Sequence, residues 1–185
     1  MAPDSPARPL RSATNQLGAW TRIPTKLGTF HVAVHEGAVV QTALPSMDTR
    51  QFLAELANRL PGVAFREDPS EPTLVRAGEQ ILQYVDGKRK EFDVPVRLEG
   101  TEFQKKVWNI LARIPYGETR SYHEVAQAMG RPGASRAVGQ ANHNNPVAPI
   151  IPCHRVVTSS GALGGYGGGV DLKRAMLEQE GVQLE

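Results

Sequence analysis

A chain of 185 residues, 40% hydrophobic and 22% charged, is long enough for one ordinary domain or two small ones sharing a core. A formal net charge of only +2 argues against binding nucleic acid through phosphate neutralisation alone, so any such binding must use a local surface. The single cysteine excludes an intramolecular disulfide and any cysteine-cluster zinc or iron–sulfur site. Arginine outnumbers lysine 15 to 6, which suits planar recognition, although GC-rich coding bias produces the same excess. There is no apolar run of about 18 residues and no signal-peptide core at the start, so a cytoplasmic protein away from membranes is expected.

Residues 1–15, rich in Pro, Ala, Ser and Arg, read as a loose tail. Phe30, Val32 and Val34 alternate with His31 and Ala33, the period of a half-buried strand. Glu36-Gly37 turns the chain, and Val39 to Leu44 return as the second strand of a hairpin. From Asp48 the spacing becomes helical through Phe52, Leu53, Leu56, Ala57 and Leu60, until Pro61-Gly62 stops it. A second helix follows Pro72, with Leu74, Ala77, Ile81, Leu82 and Val85 on one stripe. Phe92, Val94, Val96 and Leu98 alternate again, as a further strand would. His31 and His35 lie four apart, but a strand does not turn that spacing into the metal face a helix would make, and no metal is expected. This half carries no chemical constellation, and its expected role is structural.

Gly100 marks a shift in composition. Thr101 with Gln104 forms a capping box for a helix whose face is Phe103, Val107, Ile110, Leu111 and Ile114. Ser121 with Glu124 opens a short second helix, and Arg131-Pro132-Gly133 leads into a third, about Ala134 to His143. Two short helices joined by a tight glycine-containing turn have the pattern of a helix-turn-helix; the same pattern also arises from plain packing. The third helix is lined by small residues, Ala134, Ser135, Ala137, Gly139 and Ala141, with one long cation, Arg136, among them. Such a helix can press against a grooved surface with the arginine entering a base stack, or it can pack closely on another helix with the arginine solvated. A loop from Gly161 to Gly169 holds six glycines and Tyr166, and fits neither a Walker A pattern nor a dinucleotide fingerprint. The last helix, about Leu172 to Glu180, ends before Gly181 with Glu178 and Glu180 at the negative end of its dipole, an unfavourable place unless a carboxylate has a partner.

The lone thiol lies in Ile150-Ile151-Pro152-Cys153-His154-Arg155-Val156-Val157. A solitary cysteine is often inert packing. Here the neighbouring imidazole and guanidinium favour a reactive thiol, because cationic groups can hold a thiolate. Cys153 and His154 are adjacent, so in extended chain their side chains point to opposite faces, and a turn or a bridging water is needed to pair them. A Cys, His and Glu together have the logic of an activated nucleophile whose base is oriented by a third group.

Pro152-Cys153-His154-Arg155-Val156, with Ile114-Pro115-Tyr116-Gly117-Glu118-Thr119, Ser121-Tyr122, Arg136-Ala137-Val138-Gly139 and Asn145-Pro146, closely resembles the O6-alkylguanine-DNA alkyltransferases. The resemblance covers at least residues 101–182. It implies an α/β (α+β) fold: a small N-terminal antiparallel-sheet domain with helices, RNase H-like, packed on a mainly helical C-terminal domain with a helix-turn-helix. The expected divisions are a tail (1–15), a structural domain (16–98) and a DNA-binding, alkyl-acceptor domain (99–185). It further implies that Cys153 attacks the alkyl carbon on guanine O6, while His154 takes the thiol proton through a water and Glu180 orients that histidine. Asn145 would brace the turn, and Tyr122 would donate to the leaving guanine. Arg136, Ser135, Ala137, Gly139 and Tyr122 would meet duplex DNA in the minor groove, with Arg136 filling the stack vacated by a flipped nucleotide. Pro152, Val156, Tyr166, Gly167 and Gly168 would wall the alkylguanine pocket, and backbone at Cys153 and Val156 would read the base edge.

The implied reaction is a single irreversible transfer with no cofactor, from O6-methylguanine and also O4-methylthymine, by a monomer in the cytoplasm or on a nucleoid. The sequence departs from some relatives at Gly167, where they carry serine, and at His143, where they carry arginine. The N-terminal zinc ligands of some members are absent. Two rival readings remain at this point: a non-catalytic sensor of alkylated DNA, and a Cys-His-Glu thiol hydrolase.

Overall fold

The computed structural model describes residues 16–184, so the expected tail lies outside the described residues. The N-terminal half is a four-stranded sheet in the order β3-β2-β1-β4, with α1 (Thr49–Arg59) and α2 (Pro72–Val85) beside it. Its strands are β1 (Gln16–Thr25), β2 (Gly28–His35), β3 (Ala38–Ala43) and β4 (Val63–Glu67). Three pairings match the expected antiparallel arrangement only in part, because β4 joins β1 in parallel. Glu36 (φ 51°) and Gly37 (φ 75°) both take the left-handed conformation that a two-residue hairpin turn requires.

The strands β1 and β4 stand where the sequence shows no strand periodicity. Gly18 and Pro24 disguise β1, yet β4 pairs only with Gln16–Trp20, so Pro24 lies where the side away from β2 has no ladder to lose. Gly18 is needed because Phe65 occupies the space a Cβ would take. Strand β2 is buried from Phe30 to His35 on both faces, not half-buried, because α1 and α2 cover opposite sides of the sheet. Residues 92–98 form no strand: a single Val39–Val96 bridge stands alone. Pro95 accepts from Val39 N–H at 2.8 Å but has no N–H of its own to extend a ladder. Leu82, assigned to the apolar stripe of α2, is 43% exposed.

The C-terminal half contains α3 (Glu102–Leu111), β5 (Arg120–Ser121), α4 (Tyr122–Ala128), α5 (Ser135–His143), β6 (Val156–Val157) and α6 (Val170–Gln179). Both capping boxes form as the sequence indicates, Thr101 with Gln104 and Ser121 with Glu124. Pro132–Ala134 is a separate 3₁₀ turn, so α5 begins at Ser135. One continuous core runs from Phe30, Val32 and Tyr84 to Trp108, Val138 and Cys153, and thus joins the two halves. Thr42 reinforces the junction: its N–H donates to Pro146 O at 2.7 Å and its hydroxyl to Ala148 O at 2.6 Å. The segment leading to the cysteine is therefore anchored on strand β3.

Candidate active site

The reactive stretch takes its shape from the turn it makes. Cys153–Arg155 is one turn of 3₁₀ helix, closed by Val156 N–H donating to Cys153 O, before the chain enters β6. This turn sends Cys153 and His154 in different directions. Strand β6 pairs in parallel with β5, which brings Ser121 and hence Tyr122 beside the turn. Asn145 braces the segment before it: Nδ2 donates to Ile151 O at 2.7 Å, and Oδ1 accepts from Val147 N–H at 3.1 Å.

Behind the thiol lies a buried polar cluster. His154 Nε2 is 2.7 Å from Glu180 Oε1 and 3.1 Å from the Tyr84 hydroxyl. Tyr84 also donates to Glu180 Oε1 at 2.7 Å. Arg155 grips the same carboxylate with both forks, Nε to Oε2 at 2.9 Å and Nη2 to Oε1 at 3.1 Å, and Gly117 N–H donates to Oε2 at 3.1 Å. Burial alone would raise the pKa of Glu180, but the hydrogen bonds and charges of its partners overcome that and hold it at about 2. Burial lowers the pKa of His154, with Glu180 opposing. One cation, Arg155, thus balances one anion, Glu180, and the imidazole between them is neutral.

The tautomer follows from the partners. A carboxylate only accepts, so the proton sits on Nε2 facing Glu180. Nδ1 then carries the lone pair, and it has no hydrogen-bond partner within the protein. Such an imidazole can take a proton. The thiol itself is 4% exposed, with Sγ 3.9 Å from the Tyr166 hydroxyl. Burial pushes its pKa up, against the pull of Asn145, Tyr166 and Lys173. The expectation that cationic neighbours hold a resting thiolate is therefore corrected. Arg155 turns away to Glu180, and desolvation keeps Cys153 protonated until a base acts.

The remaining expected site residues fall into three groups. Cys153, Tyr166 and Gly167 line a cavity of about 620 Å³, together with Asn145, Leu44 and Met47. The glycine loop is held there by Ser46, whose hydroxyl donates to Gly167 O at 3.3 Å. A Cβ on Gly167 would meet nothing closer than His143 at 4.0 Å, so glycine is not sterically required where some relatives carry serine. Gly168 has no such freedom, being closely flanked by Leu172 and Leu44. Pro152 and Val156 are buried and do not line this cavity. Tyr122 is half-buried between α5 and the glycine loop: Cβ atoms on Gly139 or Gly164 would each lie 3.7 Å from its ring. Arg136 and Ala137 are exposed on α5, while Ser135 and Gly139 are half-buried.

Three participants were missed from sequence. Tyr84 comes from the half expected to be purely structural. Arg155 neighbours the thiol in sequence, but its partner is Glu180. Lys173 is fully buried: its ammonium donates to Val156 O at 2.6 Å and to Leu163 O, and lies 5.8 Å from the centre of the Tyr166 ring. Burial lowers its pKa to about 8. A signal was available, since Lys173, Met176, Leu177 and Glu180 stand at i, i+3, i+4 and i+7, so the stripe that buries α6 begins and ends on a charge.

Residues 102–182 match the model of the 6-O-methylguanine DNA methyltransferase, DNA binding domain. The inducible methylated-DNA–protein-cysteine methyltransferase of Bacillus subtilis is 39% identical over 163 residues, covering 87% of this chain and 89% of that protein. The chain belongs to this family. The corresponding methyltransferase of Mycobacterium bovis is 58% identical over 104 residues, but the match spans only 63% of its length. Among solved structures, Mycobacterium tuberculosis OGT in complex with DNA superposes with a TM-score of 0.76 at 41% identity, covering 88% of this chain and 92% of that one. Among the described residues, no helix is long and apolar enough to cross a membrane.

Proposed function

We propose that this protein repairs DNA by moving the alkyl group of O6-alkylguanine, and of O4-methylthymine, irreversibly onto Cys153. The observation that carries the proposal is the buried Cys153 thiol one residue from a neutral His154, whose Nδ1 is unpartnered while Nε2 is held by Glu180. His154 Nδ1 takes the thiol proton through one water. The sulfur electron pair then forms the S–C bond as the C–O6 bond breaks, and that pair leaves with the guanine. Tyr122 donates to the leaving base, whose final proton balances the one lost from sulfur. The product is a thioether, which water does not cleave, so each molecule acts once and needs no cofactor.

O6 lies within the duplex stack, so the nucleotide must be extruded. The exposed face of α5 carries Arg136 and Ala137, with Ser135 and Gly139 half-buried beside them, and suits close approach to a minor groove. In this reading α4 and α5 act as a helix-turn-helix, Arg136 replaces the flipped base, and a monomer suffices. The protein would work in the cytoplasm or on a nucleoid.

Incubation with duplex carrying O6-methylguanine is expected to add one methyl group to the Cys153 peptide, with a burst of one equivalent per protein. Mass spectrometry showing no methyl gain would sink the proposal in favour of a sensor, and repeated turnover on an ester would indicate a hydrolase. Arg136→Ala is expected to slow transfer from duplex by roughly ten-fold or more, while reaction with free O6-benzylguanine changes less than two-fold, since unstacking costs a few kcal/mol only in duplex. Equal losses on the two substrates would contradict the role given to Arg136.

A further inference from the structure

Tyr84 stands on α2, in the half that supplies no other group to the polar cluster behind the thiol. The other members, Gly117, His154, Arg155 and Glu180, all come from the C-terminal half. The Tyr84 side chain is fully buried, with Phe92 at 5.4 Å and Tyr116 edge-on at 6.4 Å between ring centres. Packing therefore fixes where its hydroxyl lies: 2.7 Å from Glu180 Oε1 and 3.1 Å from His154 Nε2. A phenol buried only to fill space needs one partner. This one meets both the base and the carboxylate that orients it.

The direction of each bond is set by chemistry. A carboxylate only accepts, so the Tyr84 proton goes to Glu180, and burial with the charge of Glu180 keeps it on the phenol. Glu180 Oε1 then accepts from three donors: Tyr84, Arg155 Nη2 at 3.1 Å and His154 Nε2 at 2.7 Å. Each donor draws on the same negative charge and weakens the carboxylate's pull on the others. A share taken by Tyr84 is thus a share withheld from an imidazolium at His154. The other charged groups about the ring are Arg155 on its own turn and Lys173 on α6, and both oppose a positive charge there. Tyr116, on the connection after α3, touches Tyr84 and is neutral. We infer that Tyr84 is a positioning residue of the transfer reaction, which keeps His154 a neutral base at rest by occupying part of the Glu180 carboxylate. An imidazole already protonated by that carboxylate has no lone pair for the thiol proton. The inference rests on the alkyl-transfer reading given above, and it gives α2 a part in the proton step.

Tyr84→Phe removes the hydroxyl and leaves the ring and its packing in place. Single-turnover transfer from O6-methylguanine duplex is measured against pH for the full chain and this variant, with protein in saturating excess. The acidic limb of the variant is expected to lie about one pH unit higher, so that transfer on that limb is about ten-fold slower. On the alkaline side the two rates converge, and affinity for the duplex is unchanged. Ring-nitrogen NMR signals of His154 should titrate at a correspondingly higher pH in the variant. Fluorotyrosine at position 84, which donates more strongly and keeps the full set of contacts, should move the limb the other way. A rate lowered equally at every pH would mark a merely structural role and overturn the inference, as would a profile unchanged in both replacements. Absence of transfer by the wild-type chain at any pH would instead mark failure of the alkyl-transfer reading, and the inference would fall with it.

Discussion

Replacing Glu180 with glutamine is expected to damage stability and chemistry together, and more severely than any other single change behind the thiol. The two carboxylate oxygens receive five donors: His154, Tyr84, Gly117 and two from Arg155. Glutamine offers one oxygen and an NH₂ group, so at least one of those donors would face another donor. Arg155, whose side chain is 8% exposed, would be left buried without a counter-charge. Breaking a buried pair in this way typically costs about 3–5 kcal/mol. Loss of the acceptor at Nε2 would also free the imidazole to adopt the other tautomer, which removes the lone pair from Nδ1. Chemical denaturation should therefore show a loss of about 3–5 kcal/mol, and single-turnover transfer should slow by roughly a hundred-fold or more. Retention of the wild-type rate in the folded variant would rule out Glu180 as the group that orients His154.

The same cluster sets the response of the wild-type protein to acid. A carboxyl whose pKa falls from 4.5 to about 2 on folding stabilises the native state above the unfolded value, and the stabilisation is lost as pH drops through the folded one. It amounts to about 3 kcal/mol for this group alone. For this group alone, denaturation midpoints should thus be steady near neutrality and decline between about pH 4.5 and pH 2. His154, held neutral by burial, contributes in the same direction on the acid side, because the unfolded chain binds its proton first.

Cys153→Ser should abolish transfer while leaving the scaffold intact. Serine matches the volume of cysteine and fits a 3₁₀ turn whose hydrogen bonds all come from backbone and neighbouring side chains. Its hydroxyl, however, is far harder to deprotonate than a thiol, and oxygen is the poorer nucleophile toward an alkyl carbon. Transfer should fall by about 10³-fold or more, with affinity for O6-methylguanine duplex within roughly three-fold of wild type, as a gel-shift or anisotropy titration would measure. Any methylated protein in the variant would place the acceptor elsewhere and end the assignment of Cys153.

Much of this protein is legible in one dimension because local rules act on contiguous residues. The capping boxes at Thr101 and Ser121, the hairpin at Glu36-Gly37 and the helices from Asp48 and Pro72 obey periodicity and side-chain-to-backbone hydrogen bonding within a few residues. Where local signals conflicted with the fold, long-range context won. Strand β1 carries Gly18 and Pro24, residues that disfavour strands, yet it forms because each meets a tertiary circumstance that tolerates it. Residues 92–98 alternate like a strand, yet Pro95 and the position of β3 leave them with one bridge.

The candidate site divides the same way. The sequence by itself determined which groups were present: one thiol, an adjacent imidazole and guanidinium, a carboxylate stranded at a helix C-terminus, and an arginine alone among small residues. It also determined that Cys153 and His154 could not simply pair, since neighbours in a chain diverge. Only the tertiary structure decided how those groups divide their work. Arg155 serves Glu180 and not the thiol, Tyr84 arrives from the opposite half, and Lys173 and Asn142 donate to the backbone carbonyls beside the thiol. The physical reason is that hydrogen-bond pairing and desolvation depend on distance through space. At Cys153 desolvation outweighed the charges of its neighbours, and no spacing along the chain records how deeply a residue is buried.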